Sequence, residues 1–139
     1  MDAGLCISYL TIEKRGSIPE HLREGMRRQV FGCDICQDVC PWNRKAPVTA
    51  AAEFQPREGL VNPALEWLAA MDEGGFRETF RGSPIRRTKR QGLRRNVAIA
   101  MGNSGDAKFL DTLQTMSRDG DSVVAEAATW AVEKLMRKG

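Results

Sequence analysis

Long apolar runs are missing from this 139-residue chain, and no window approaches the roughly eighteen uninterrupted apolar residues of a membrane-spanning helix. The opening "MDAGLCISYLTIEKRG" lacks a basic start, and its short apolar run ends in charges. It does not read as a secretory signal, so no membrane is expected and the cytoplasm is the expected compartment. Histidine is nearly absent. His21, the sole one, lies among charges on an expected helix and reads as a solvated residue rather than a ligand. Strong net charge is also lacking: at +3 the balance is too small by itself to argue for a polyanionic partner. Apolar residues at 42% and charged residues at 28% are ordinary for a globular protein of one domain, or of two very small ones. One absence is local. From Arg81 to Arg95 the chain reads "RGSPIRRTKRQGLRR", with seven basic residues and no acid.

The patterning that is present is helical. "CISYLTIE" at 6–13 is β-branched and aromatic without clean alternation, which suggests a short extended or turn-like segment. Ser17, Pro19 and Glu20 form a capping-box signature, and Leu22, Met26 and Val30 recur every four residues, so an amphipathic helix is expected over about 19–30. Gly32 ends it and opens a cysteine loop. Segment 44–61 has weak periodicity and reads as a surface loop. Asn62 and Pro63 are placed to start another helix carrying Leu65, Leu68 and Ala69. A helix from Ser83-Pro84 to about Asn103, one begun by Asp106 and a final one follow, separated by "NSGD" and "RDGD". Helices rich in alanine between short Gly-Asp turns have the rhythm of HEAT-like repeats, with a plain three-helix bundle as the alternative.

Cysteine is sparse but concentrated: three of the four lie in "FGCDICQDVCPWN", spaced Cys33-x2-Cys36-x3-Cys40 with Pro41 next. The bacterial ferredoxin run is C-x2-C-x2-C-x3-C-P. This sequence matches its last three cysteines and its proline, with Val30 where the first would fall. Cys6, the remaining thiol, lies one helix upstream, and a helix of about twelve residues spans only about 18 Å. The chain can therefore fold back and present Cys6 to the loop. Three readings compete: an iron–sulfur cluster, a four-cysteine structural zinc site, and unliganded core thiols. The x3 spacing followed by proline favours the cluster. In two-cluster ferredoxins the cysteine before the proline ligates the other cluster. On that logic Cys6, Cys33 and Cys36 share one cluster and Cys40 serves a second.

The blocks "CISYLTIE", "GSIPEHLR" and "FGCDICQDVCPWN", continued by "FRGSPIRRTKRQGLRRNVAIAMGN", resemble the C-terminal half of the epoxyqueuosine reductases. The resemblance covers nearly the whole chain. It implies an oxidoreductase with two 4Fe–4S clusters and a cobalamin, forming queuosine in tRNA. It implies that Cys6, Cys33 and Cys36 ligate the second cluster and Cys40 the first. Cobalamin would be bound mainly by an N-terminal domain, and no catalytic residue carries over. The chain is expected to be a fragment, a truncated remnant or one half of a split enzyme, incomplete and inactive alone, with a separate N-terminal half as a candidate partner and a monomer when complete.

The expected architecture is mostly α. A ferredoxin-like cluster-binding segment at 1–48 leads through a connecting loop and short helices at 49–82 to HEAT-like repeats at 83–139. At about 100° per residue, Arg86, Arg87, Arg90 and Arg94 fall within one arc of a helix, and no acid is interspersed. With Lys89 and Arg95 they are the expected tRNA contacts, since phosphates attract Arg and Lys without regard to sequence. A solvated helix face is the plain alternative. A different class also stays open: a non-catalytic RNA-binding module whose cysteines hold one structural zinc or a single 4Fe–4S cluster.

Overall fold

The computed structural model describes residues 2–138, and every regular element among them is helical. The expected mostly α chain is the one observed. A 3-10 turn (Ala3–Leu5) precedes α1 (Ile7–Ile12), α2 (Glu20–Arg23) and α3 (Ile35–Asp38). Two 3-10 turns (Pro41–Lys45 and Ala52–Phe54) lead to α4 (Leu65–Ala70) and α5 (Glu73–Thr79). Another (Pro84–Thr88) opens α6 (Lys89–Ser104), and a last one (Ala107–Phe109) opens α7 (Leu110–Met116), followed by α8 (Ser122–Lys138).

α6 is the axis of the molecule. Every residue from Gly92 to Gly102 is buried, so this helix has no solvent face over three turns and must be covered on all sides. α8, α4 and α1 cover it. Small residues permit the closest of these approaches: a Cβ on Gly102 would lie 2.7 Å from Ala131 Cβ and 2.9 Å from Ala131 Cα. Leu10, Ile18 and Met26 from the N-terminal part share one core with Val97, Leu113 and Val124. The cysteine-bearing segment is thus packed on the same core as the C-terminal helices. Gly105, at φ 72°, ends α6 in the left-handed conformation that glycine adopts without a Cβ penalty. Asp121 accepts from the N–H groups of Val123 and Val124 and so caps α8.

Several local expectations are corrected. The segment 6–13 is not extended, because α1 forms there. Its last carbonyls find partners on α6, and that tertiary satisfaction overrides β propensity. The helix expected over 19–30 shrinks to one turn. Asn103 Nδ2 donates to Arg23 O at 2.8 Å and to Arg27 O at 2.7 Å, drawing these carbonyls out of the helical ladder, and Arg27 sits at φ 53°. Ser17 caps nothing; its hydroxyl donates to Glu126 instead. Asn62 adopts φ 48° and the following helix begins only at Leu65. The helix expected from 84 is broken at Lys89 (φ 59°, ψ 164°), which divides a 3-10 turn from α6. Trp130 packs in the core as expected, but Trp67 is exposed.

Candidate functional site

All four thiols are free, and none is fully buried. Cys6 stands at the N-cap of α1, with its carbonyl accepting Leu10 N–H at 2.9 Å. Cys33 follows Gly32, whose φ of 74° turns the chain. It lines an open cleft of about 490 Å³ together with Ser8 and Ile12 of α1, Asp34, and Ile35 and Asp38 of α3. Cys36 is exposed in α3, and Cys40 is the N-cap residue of the turn at Pro41–Lys45. Trp42 stands beside this loop 92% exposed.

Soft thiolates are the donors that iron–sulfur clusters take, and four of them suffice for one 4Fe–4S centre. In donor type and number the set fits one such cluster. Two all-cysteine clusters take about eight thiolates, so this chain furnishes half of that set. Among the described residues, no three of Cys, His, Asp and Glu converge as ligands of a single metal ion would. A tetrahedral zinc site, with Zn–S distances of about 2.3 Å, is not preformed here.

The basic run resolves into two groups. Arg81, Arg86, Arg87 and Lys89 are exposed, Arg87 pairing with Glu13. The other three are turned inward. Arg90 Nε donates to Met71 O at 2.8 Å and Arg94 Nε to Ala69 O at 2.9 Å, so both guanidinium groups cap the C-terminal end of α4, where the helix dipole favours cations. Arg94 also pairs with Asp119 at 2.5 Å. Burial pushes the Asp119 carboxyl up, but the Asp121 N–H, the Arg94 hydrogen bond and the charges of Arg94 and Arg90 outweigh it and hold it below the ordinary value. Arg95 is 1% exposed. Its five N–H groups are all used: Nη1 donates to Lys14 O and Gly16 O, Nη2 to Leu10 O, and Nη2 and Nε both to Asn96 Oδ1. Burial, aided by the charge of Arg15, lowers its pKa to about 10. Arg94 and Arg95 are therefore corrected: they hold the fold together and do not present themselves to a phosphate. The single helical arc is corrected too, since the break at Lys89 separates Arg86 and Arg87 from the register of α6.

Thr11, Thr88 and Asn96 escaped the sequence reading. Thr88 Oγ1 and Asn96 Nδ2 both donate to Thr11 O, at 2.9 and 2.8 Å. A signal was available: Asn96 is the one amide inside the apolar run "NVAIAM", and a polar side chain at a core position needs a buried partner.

Residues 1–43 match the family model described as the 4Fe-4S double cluster binding domain, so this part of the chain is similar to iron–sulfur proteins. The particular resemblance is as plain. The chain is 43% identical to the epoxyqueuosine reductase of Vibrio cholerae over 139 residues, covering 99% of this chain and 37% of that protein. It is 41% identical to the one from Xanthomonas campestris pv. campestris, covering 95% of this chain and 38% of the relative. A crystal structure of epoxyqueuosine reductase with a tRNA-Tyr epoxyqueuosine-modified tRNA stem loop superposes with a TM-score of 0.86 at 30% identity, over 94% of this chain and 35% of that one. The Streptococcus thermophilus enzyme gives 0.87 at 26% identity, over 100% of this chain and 36% of its own. The resemblance read from the cysteine block is borne out, and the chain spans little more than a third of the relatives it matches.

Proposed function

We propose that this chain supplies cluster thiolates and part of the RNA-facing surface to an epoxyqueuosine reductase, the oxidoreductase that makes queuosine in tRNA. The observation that carries the reading is the set of four free, accessible thiols inside a segment matching a double-cluster domain. Cys6, Cys33 and Cys36 serve one 4Fe–4S cluster and Cys40 the other. Cobalamin is held mainly by the rest of the enzyme. Because the chain spans 37% of a curated relative, turnover is assigned to the assembled enzyme, which is cytoplasmic and monomeric when complete. A separate N-terminal half is one source of the remainder. The proposal divides the chain into a cluster segment (1–48), a connector (49–82) and a HEAT-like helical segment (83–139). The RNA-facing cations are Arg86, Arg87 and Lys89, with Arg90 at their edge. Both the exposure of the first three and the tRNA stem loop named for a structural neighbour support this. In the described residues no helix is long and apolar enough to cross a membrane.

Anaerobic reconstitution tests the cluster. Combined with the N-terminal part of the enzyme, the chain is expected to take up iron and sulfide in equal amounts, about four of each per cluster, and Cys33→Ser or Cys36→Ser is expected to lose one cluster's share of both. Uptake of one zinc without sulfide, or unchanged iron in the serine variants, overturns the assignment.

A further inference from the structure

The thiols lie in the N-terminal third of the chain, yet the groups that fix that third come from α6 and the turn that opens it. With six residues, α1 is too short to persist on its own hydrogen bonds. Its C-terminal carbonyls accept from donors elsewhere in the chain. Leu10 O receives Arg95 Nη2 at 2.9 Å, while Thr11 O receives Thr88 Oγ1 at 2.9 Å and Asn96 Nδ2 at 2.8 Å. A buried cation there also faces the negative end of the helix dipole. Cys6 starts this helix, so its backbone is one end of a short rod whose other end is clamped to α6.

The same clamp holds the second thiol. Asn96 Nδ2 donates to Val30 O at 2.9 Å as well, and Thr11 Oγ1 accepts the Gly32 N–H at 3.0 Å. Gly32 is bonded directly to Cys33. Two thiolates of one cluster must keep their separation to within about 0.5 Å. We infer that Thr11 and Asn96, backed by Arg95, are positioning residues for the cluster: they set Cys6 against Cys33 and make the C-terminal helical segment part of the cluster site. The inference rests on the iron–sulfur reading above. Neither side chain ligates iron. Both act through the backbones that carry the two cysteines.

Thr11→Val tests this with a side chain of the same shape: it removes the acceptor of the Gly32 N–H together with the hydroxyl's own bonds to Ile7 O at 2.8 Å and Ser8 O at 3.2 Å, inside α1; Thr11→Ser restores a hydroxyl. The chain, combined with the N-terminal part of the enzyme and reconstituted with iron and sulfide, is followed by iron release to a ferrous chelator and by the paramagnetic resonance line of the reduced cluster. Hydrogen exchange of the Gly32 amide in the iron-free chain and the thermal midpoint are measured alongside. Thr11→Val is expected to speed Gly32 exchange and iron release by about tenfold each, the size of one lost hydrogen bond. It also alters the resonance line at temperatures well below the thermal midpoint, which falls by only the several degrees that a loss of this size predicts, and Thr11→Ser behaves like the parent. Faster Gly32 exchange with unchanged iron release and resonance overturns the inference, because the clamp then serves folding alone. Equal losses in Thr11→Ser, or iron release that merely tracks a falling midpoint, also overturn it. A parent assembly of the chain with the N-terminal part of the enzyme that holds no iron and sulfide fails the iron–sulfur reading itself, and the inference falls with it.

Discussion

Replacing Arg95 with alanine removes five donors at once from a site that is 1% exposed. The carbonyls of Leu10, Lys14 and Gly16 lose their Arg95 partner, as does Asn96 Oδ1. Leaving a buried acceptor unpaired costs about 1–3 kcal/mol, and losing the packing of the long side chain adds to it. Relief of the buried charge offsets part of that loss. A net destabilisation of about 3–5 kcal/mol is expected, a large share of the roughly 5–15 kcal/mol that holds a domain folded. With a slope of about 2 kcal/mol per molar urea, the midpoint of helical unfolding falls by about 1.5–2.5 M. Arg95→Lys keeps a charge but cannot span the fork of acceptors, so it recovers less than half of the loss. The assay is urea unfolding followed by far-ultraviolet circular dichroism. A midpoint within about 0.3 M of the parent in Arg95→Ala would refute the view that this guanidinium organises the N-terminal third.

Glu126 accepts from the Ser17 hydroxyl, and that hydrogen bond, opposed by burial and aided by Arg23, holds its carboxyl below the ordinary 4.5. The folded carboxyl binds its proton more weakly than the unfolded one. Its contribution is therefore complete above about pH 4.5 and is lost as the pH falls through the lowered value. Glu126→Gln should flatten stability against pH in that acid range, and a parallel acid transition in parent and variant speaks against the pairing. Gly102→Ala forces a methyl to within 2.7 Å of Ala131 Cβ and 2.9 Å of its Cα. Backbone cannot yield cheaply there, so the overpacking of about 1–3 kcal/mol should exceed the ~1 kcal/mol gain in helix propensity. An unchanged or raised urea midpoint contradicts that close approach. Joint replacement of Arg86, Arg87 and Lys89 by glutamine should weaken tRNA binding at every sequence, lowering the salt slope by roughly one unit per lost phosphate contact. Arg94→Gln, by contrast, should lower stability and leave the slope alone; the opposite pattern would return Arg94 to the RNA surface.

The sequence by itself determined the chemistry and the class. Cysteine spacing is a local property of the chain, and so are the glycine and aspartate punctuation and the alanine-rich periodicity of the last third. Donor type, helical content and family resemblance could therefore be read directly. Gly105 and Asp121 act where their patterns put them. Only the tertiary structure decided which cations are free, because burial is a property of neighbours. Arg86 and Arg95 are alike in sequence, but one ends exposed before the break at Lys89 and the other is inside, saturated by distant carbonyls. The same holds for the short helices. α1 forms against its β-branched composition because α6 takes its orphan carbonyls, and the helix expected over 19–30 is cut short because Asn103 takes two of its own. Hydrogen-bond partners some 80 residues apart leave no periodic trace in the chain, so a helix boundary set by them becomes visible only when the chain is folded.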